Sequence, residues 1–447
     1  MTSGDSAPLP LASPPEEVST RRLLALTGSA FAVLAAEPLY LLVDTAVVGH
    51  LGTTALAALG VGAALLSLIT LAGTFLEYGT TARAARWFGA GRPAEAANEG
   101  MQATWLALGI GAAAVVAGEI FAGPLTRALA GGSGEVAHES ELWFRVAVLG
   151  VPGILIVLAG NGWLRGVQDT RQPVVIVLVA NALSAVASPL LVYPGGLGLV
   201  GSAVANVGAQ AVAGLLFLRA LARSRSPRRP AWPVMRAQVI MGRDLFVRSA
   251  AFEIAFLTAA AVAARMGAAQ LGAHQIALQL WTFSALILDS FAIAAQSLVG
   301  AALGGGAVAG ARRLAGRVAR YGLAGGVLFG VLVAVGGFFL PPLFTSSGAV
   351  IHQAHLLWPW FAAMQPAAGV VFALDGVLLG AGDAAFMRTL TLIAALGAYV
   401  PLALAALHFG WGIGGVWAGL TAFVLVRLVG MLWRVRGTAW AVAGPQR

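Results

Sequence analysis

The chain has 447 residues, of which 59% are hydrophobic and only 10% are charged, with a formal net charge of +9. Soluble domains are roughly 45–50% apolar, so a water-soluble fold of this length could not bury so much apolar surface. The sequence contains neither cysteine nor lysine. This excludes a disulfide framework, a thiolate metal site and the lysine that a phosphate-binding loop or a Schiff-base enzyme requires.

Apolar runs of membrane-spanning length recur along nearly the whole chain. Residues 1–20 predict a disordered tail, and the apolar run that follows is too long for a cleaved signal peptide. Because each run ends at proline, glycine or a cluster of charges, twelve transmembrane helices are predicted. They span about residues 23–48, 53–78, 100–122, 140–164, 172–193, 197–221, 244–266, 270–297, 318–340, 355–380, 386–408 and 411–434.

The arginines indicate the orientation of these helices, since cytoplasmic loops carry the positive excess. Arginine clusters follow the even-numbered helices, whereas the odd-numbered loops hold few arginines and three glutamates. Both termini are therefore predicted to be cytoplasmic, in a multi-pass protein of the cell membrane. Since the arginines lie between apolar runs, the expected partner is the lipid bilayer and not a nucleic acid. The clusters are Arg83, Arg86 and Arg92; Arg165 and Arg171; Arg219 to Arg243; Arg312 to Arg320; and Arg434 and Arg436.

The two halves of the chain resemble each other at a shift of about 214–215 residues. For example, the pattern Gly-x-Leu-x-Gly-x-x-Asp occurs at residues 162–169 and again at 376–383. Six helices per half is an even number, so the halves run parallel, related by a pseudo-two-fold axis along the membrane normal. The predicted fold class is an all-α integral membrane protein with two six-helix lobes. The predicted boundaries are a tail at 1–20, an N-lobe at 21–222, a basic linker at 223–243, a C-lobe at 244–436 and a tail at 437–447.

Ionisable groups inside apolar runs are costly in a membrane, so each one is a candidate for function. The first predicted helix holds Glu37 and Asp44, which are seven residues apart and share a face. Pro38 can loosen the helix beside them. A carboxylate binds a proton or a sodium ion and releases it when its hydration changes. The pair is thus one candidate coupling site, and the alternative is that neighbouring helices satisfy both carboxylates for assembly.

The predicted C-lobe helices hold three carboxylates, Glu253, Asp289 and Asp375. Glu253 and Asp375 form a second candidate cation site. Arg248 is predicted to pair with Asp289 or Glu253 as a buried structural ion pair. In the N-lobe, Glu77 lies near a predicted helix end and is expected to extend towards the interface.

Four uncharged polar residues in the apolar runs are candidates for the wall of a substrate cavity. Amide hydrogen bonds between helices would explain three of them equally well. The four are Tyr40, Asn161, Asn181 and Gln275.

The stretch Val43-Asp44-Thr45-Ala46-Val47-Val48-Gly49-His50-Leu51-Gly52 resembles the first-helix signature of the multidrug and toxic compound extrusion (MATE) family, in its DinF-like branch. Residues 162–173 and 271–276 resemble the same family, and the similarity covers residues 21–434. The resemblance implies export of cationic or amphipathic compounds in exchange for protons or sodium by alternating access.

The resemblance also implies where the coupling ion binds. Asp44 matches the first-helix aspartate that is proposed to bind the ion in that family, and Glu253 and Asp375 resemble the C-lobe carboxylates of the NorM-like branch. A coupling sodium is accordingly expected at Asp44 or at Glu253 and Asp375. The sequence departs from the family at Ser184 and Ser188, where relatives often carry Asn and Asp, and Ser29 replaces an early proline.

These observations predict a secondary active antiporter for small molecules that needs no cofactor beyond its coupling ion and acts as a monomer. The alternative within the same superfamily is a flippase for lipid-linked precursors, which would be expected to have a more cationic central cavity. An enzyme is not predicted, because the sequence contains no H-E-x-x-H, no G-x-S-x-G and no cysteine nucleophile.

Overall fold

The computed structural model describes residues 19–132, 134–224 and 229–445, and the elements in these ranges are all helical. Most of the predicted tail at 1–20 and part of the predicted linker lie outside the described residues. The helices are α1 (Thr20–Gly49), α2 (Thr53–Gly89), α3 (Pro93–Leu129), α4 (Glu135–Val148), α5 (Val151–Gly166), α6 (Gln172–Val192), α7 (Gly198–Ala222), α8 (Trp232–Met266), α9 (Ala268–Gly304), α10 (Val308–Gly336), α11 (Leu340–Phe344), α12 (Gly348–Gly380), α13 (Ala384–Leu392), α14 (Val400–His408) and α15 (Gly412–Arg436).

Eleven spans in the described ranges are long and apolar enough to cross a membrane, and the bent pair α4 and α5 forms a twelfth. α13 and α14 count as one span, because the π-helical residues Ile393–Tyr399 join them. α4 and α5 meet at 49°, where Pro152 in the first turn of α5 cannot donate a backbone hydrogen bond to α4. The predicted twelve-helix membrane fold is confirmed.

Several helices are longer than predicted, because polar residues that were expected to lie in loops form ion pairs and hydrogen bonds inside the protein. α2 continues to Gly89, past the predicted end at residue 78. Arg83 pairs with Glu99 of α3, with a nitrogen–oxygen distance of 2.7 Å. α8 begins at Trp232, twelve residues before the predicted start, and Gln238 in this extension donates to the Glu99 carboxylate at 2.8 Å.

Two hydrophobic clusters form the interior. One is built mainly from α2 to α7, and the other is built mainly from α8 to α15. α1 belongs to both, since Val48 packs in the first cluster while Leu23 and Leu26 pack in the second. The first transmembrane helix therefore starts against the C-terminal half and ends against the N-terminal half.

The two halves meet where α2 and α9 end, and we name this end of the bundle the arginine-rich end. Here glycines allow the two backbones to touch: a Cβ atom on Gly89 would lie 1.9 Å from the carbonyl oxygen of Ala301, and one on Gly304 would lie 1.9 Å from that of Arg86. Such small residues permit the closest approach of membrane helices. The halves are thus in contact at this end of the molecule.

Candidate functional site

Asp44 lies five residues before the end of α1 and is one of its buried residues. Its side chain is 4% exposed, and Ser188 of α6 donates a hydrogen bond of 2.8 Å to its Oδ1 atom. Among the described residues Asp44 has no ion pair with an arginine. The carboxylate is therefore buried with a neutral donor and no permanent counter-charge.

Tyr40 of α1 also interacts electrostatically with Asp44, and further polar side chains come from α6 and α7. One turn before Asp44, Tyr40 is buried and accepts a hydrogen bond of 3.2 Å from Asn206 Nδ2 of α7. On α6, Asn181 and Ser184 lie on the same face as Ser188, by their spacing of three to four residues. Asn206 was not singled out in the sequence, although an amide in an apolar helix was a usable signal.

Several polar atoms near Tyr40 and Asp44 are buried without a protein partner. Within the described residues these include Asn181 Nδ2 and Asn206 Oδ1. Buried polar groups normally find a partner, so such atoms suit a bound ion or a polar ligand. Asn161 of α5 is also buried with an unpartnered oxygen.

Glu37 is placed differently from Asp44. Its side chain is exposed, as are those of Pro38 and Leu39. Seven helical residues correspond to about two turns and 10 Å, so Glu37 and Asp44 stay on one side of α1 at different depths. The two do not share a hydrogen-bonded cluster among the described residues.

In the C-terminal half, Asp375 of α12 is held by two arginines. Arg427 Nη2 of α15 lies 2.7 Å from both carboxylate oxygens, and Arg248 Nη2 of α8 lies 3.0 Å from Oδ2. The predicted pairing of Arg248 with Asp289 or Glu253 was wrong, because α12 presents its carboxylate directly to α8. Arg427 was missed, although it is the only charged residue between Gly412 and Leu432.

Asp289 of α9 faces the N-terminal half. Tyr78 Oη of α2 donates to Asp289 Oδ2 at 2.9 Å. Asp289 also interacts electrostatically with Arg248 and Arg165. This carboxylate therefore connects the two halves and is not the partner in a pair confined to the C-lobe.

Glu253 and Gln275 are exposed side chains. On α8, Phe252 and Ala255 turn towards the core while Glu253 points away from it. No contact between Glu253 and Asp375 occurs among the described residues, so the second candidate cation site is not assembled in this conformation.

Glu77 is the partner of Arg165 of α5, with which it forms a buried ion pair. The expectation that Glu77 extends to the interface was wrong, because α2 continues for three more turns beyond it. Nearby, Ser297 Oγ of α9 donates to the backbone oxygen of Arg165 at 2.7 Å, and Gln296 Nε2 donates to that of Tyr78 at 2.7 Å. This row of contacts joins the halves just inside the arginine-rich end.

The segment after α15 covers the arginine-rich end. Trp440 is fully buried, and Gly444 N donates to Leu303 O of α9 at 3.0 Å. Arg86 of α2 donates to the backbone oxygens of Val442 and Gly444, at 3.2 and 2.7 Å, and to that of Ala381 at 2.8 Å. The segment thus contacts both halves at once.

A cavity of about 170 Å³ lies within the C-terminal half, between α8, α9, α12 and α15. Its walls are mostly aromatic and aliphatic, and Arg427 is its only ionisable lining residue. The guanidinium of Arg427 lies 4.6 Å from the ring centre of Phe252 and 5.8 Å from that of Phe423. The cavity therefore combines aromatic walls with one cation.

Comparison with known proteins adds to this geometry. The MatE family matches residues 30–190 and, separately, residues 245–405. The second match begins 215 residues after the first, in agreement with the shift found between the halves of the sequence.

Curated relatives cover most of the chain. The DNA damage-inducible protein F of Escherichia coli is 32% identical over 416 residues, which cover 89% of this chain and 88% of that protein. Protein DETOXIFICATION 44, chloroplastic, of Arabidopsis thaliana is 31% identical over 431 residues, which cover 92% of this chain and 81% of that protein. A crystal structure of a MATE protein in its bent conformation superposes with a TM-score of 0.85 at 22% identity, over 95% of this chain and 99% of the other, and so shares the fold.

Proposed function

This chain belongs to the MatE family of multidrug efflux transporters, and from that premise we propose that it is a secondary active antiporter that exports cationic or amphipathic organic compounds in exchange for protons or sodium. It is a multi-pass membrane transporter and not an enzyme. Asp44 is proposed as the residue that binds the coupling ion, with Glu37 assisting on the same side of α1.

The observation that carries this proposal is that two buried carboxylates, Asp44 and Asp375, have different hydrogen-bond and ion-pair partners. Asp44 has one neutral donor, Ser188, so its charge is compensated only when a proton or a cation binds. Asp375 has two arginines within 3.0 Å and is compensated permanently. A carboxylate that must take up and release a cation in each cycle needs the first environment, which supports coupling in the N-terminal half.

The same comparison weakens the second candidate site. A cation that binds Asp375 would have to displace Arg248 and Arg427 or be repelled by them. Glu253 is exposed and does not contribute to this cluster. Glu253 and Asp375 are thus retained only as the rival location for the ion.

Tyr40, Asn181 and Asn206 are proposed to bind the polar groups of a substrate next to Asp44. The unpartnered atoms of Asn181 and Asn206 support a site that is completed by another molecule. A cationic substrate there would compete with the coupling ion for the Asp44 carboxylate, and such competition is what antiport requires.

The contacts between the halves bear on the transport cycle. The named hydrogen bonds between α2 or α5 and α9 lie between the middle of α9 and the arginine-rich end, which the positive excess predicts to be cytoplasmic. The conformation is therefore proposed to be closed towards the cytoplasm, and export requires these contacts to break and re-form in each cycle.

The flippase alternative has less support. Arg165, Arg248 and Arg427 all lie within the helices, but each pairs with a carboxylate. A lipid-linked phosphate would have to compete with those carboxylates, and Asp44 would have no role.

Transport of ethidium, an aromatic cation, from proteoliposomes tests the proposal. Efflux should follow an imposed proton or sodium gradient and should fall to the protein-free level in Asp44→Asn. Glu95→Gln is the matched control, since Glu95 pairs with the exposed Arg92 at the arginine-rich end, and it should transport like the wild type. Wild-type efflux in Asp44→Asn would refute coupling at Asp44; gradient-independent behaviour of the wild type would refute antiport.

A further inference from the structure

We propose that the aromatic cavity of the C-terminal half is a binding site for small aromatic acids, with Arg427 receiving the anionic group. This inference rests on the proposed function only for its role in transport, since it assigns the acidic members of the amphipathic substrate class to a site distinct from Asp44. The binding itself follows from the cavity.

The first argument is the local charge. Asp375 pairs with Arg248 and Arg427, and with Asp289 included the cluster holds two arginines and two carboxylates. The next carboxylate, Asp289, interacts with Arg248 and already accepts a hydrogen bond from Tyr78. Arg427 is 3% exposed and is the member of the cluster that lines the cavity. An anion that enters the cavity meets this cation first.

The second argument is the hydrogen-bond inventory. Arg427 Nη2 donates to both carboxylate oxygens of Asp375. Within the described residues its buried Nε group has no acceptor. Trp417 Nε1 is also a buried donor without an acceptor, and Trp417 also lines the cavity. Two unpartnered donors and no unpartnered acceptor among the lining side chains favour a ligand that accepts hydrogen bonds, and a carboxylate has four lone-pair positions for them.

The third argument is the wall. Phe252, Trp281 and Phe372 line the cavity together with Phe423, and aromatic walls bind flat apolar bodies by edge and face contacts. A closed apolar cavity of about 150 Å³ holds a benzene molecule, so a cavity of about 170 Å³ suits an acid built on a small aromatic ring system.

The position of the cavity separates it from the Asp44 site. Its walls come from α8, α9, α12 and α15, all of the C-terminal half, whereas Asp44 is bound by α1 and α6. A ligand can therefore bind at one site whether or not the other site is occupied.

Equilibrium binding to the purified protein in lipid nanodiscs tests the inference, without any ion gradient. The probes are 1-naphthoate, 1-naphthamide and 1-naphthylmethylammonium, which share one ring system and differ in charge. We expect the order naphthoate, then amide, then ammonium. Arg427→Gln should weaken naphthoate binding by about tenfold or more, as expected for loss of a charge-assisted hydrogen bond, and should leave the amide nearly unchanged.

The matched control is Arg434→Gln. Arg434 is on the same face of α15, two turns further along, and pairs with Asp383 through its Nε at 2.6 Å, outside the cavity. Its replacement should leave naphthoate binding at the wild-type value. If Arg427→Gln does not fold, Trp417→Phe serves instead, because it keeps the ring, removes the donor and should weaken naphthoate binding several-fold.

Tighter binding of the ammonium probe, or naphthoate binding that is indifferent to both Arg427→Gln and Trp417→Phe, would overturn the inference. Asp44→Asn should bind naphthoate like the wild type. The two proposals can therefore fail separately: binding without coupled efflux refutes the antiporter proposal alone, and coupled efflux without selective naphthoate binding refutes the cavity proposal alone.

Discussion

Tyr78 of α2 donates a hydrogen bond of 2.9 Å to Asp289 of α9, and this bond joins the two halves of the transporter. It lies beside the Glu77 and Arg165 ion pair and the backbone contacts of Gln296 and Ser297. Hydrogen bonds to charged groups contribute about 1.5–3 kcal/mol, so the loss of this one should shift the balance between conformations measurably.

Tyr78→Phe is accordingly expected to open the arginine-rich end. The natural chain has no cysteine, so spin labels can be placed at Ala94→Cys and Ala309→Cys, which are exposed positions in the two halves. The distance between the two spin labels, measured by double electron–electron resonance, should show a longer component in the variant. Tyr193→Phe is the control, because Tyr193 donates to Val47 O at 2.6 Å within one half. Identical distance distributions in both variants would show that the Tyr78 bond does not hold this end closed.

Substitutions at Asp375 and Asp44 should have different effects: the first should lower stability, and the second should abolish transport. Asp375→Asn leaves the buried Arg427 without its carboxylate partner, and loss of one partner from a buried ion pair costs about 3–5 kcal/mol. Asp44→Asn keeps an acceptor for Ser188 and should change stability by less than about 1 kcal/mol. Thermal inactivation half-lives in detergent should therefore fall steeply only in Asp375→Asn, whereas ethidium transport should be lost in Asp44→Asn. Equal half-lives would contradict the assignment of Asp375 to a structural pair.

The sequence predicted the number of spans and the repeat, because both depend on where apolar runs and glycines lie along the chain. It failed for Arg248, since spacing along α8 cannot say whether Glu253 on the same helix or a carboxylate on α9 or α12 is near. It failed for Glu77 for a related reason. Arginines after an apolar run predict the end of the transmembrane helix. In the structure Arg83 forms an ion pair with Glu99, and Arg86 donates hydrogen bonds to backbone oxygens, so α2 continues to Gly89.

Arg86→Gln should release the segment after α15. A glutamine cannot reach the three backbone oxygens that the guanidinium joins, those of Ala381, Val442 and Gly444. Hydrogen exchange followed by mass spectrometry should become faster by about tenfold or more in the peptide covering residues 438–445, as the segment opens at lower free energy. Arg92→Gln is the control, because Arg92 pairs with Glu95 at the surface. Unchanged exchange in Arg86→Gln would mean that the other contacts of the segment, such as the burial of Trp440 and the Gly444–Leu303 hydrogen bond, hold it in place.

Gly89 should be intolerant of any side chain in the conformation described here. A Cβ atom there would lie 1.9 Å from Ala301 O, and backbone cannot yield to it as a flexible side chain could. Gly89→Ala should therefore disfavour contact between α2 and α9 and lengthen the distance between labels at Ala94→Cys and Ala309→Cys. Gly79→Ala is a stringent control, since Gly79 lies on the same helix and its added Cβ meets nothing within 4 Å. Because alanine is the better helix former, both variants gain helix propensity, so a change confined to Gly89→Ala isolates the contact between the halves. If Gly89→Ala also slows ethidium efflux while Gly79→Ala does not, closure of the arginine-rich end is a required step of transport.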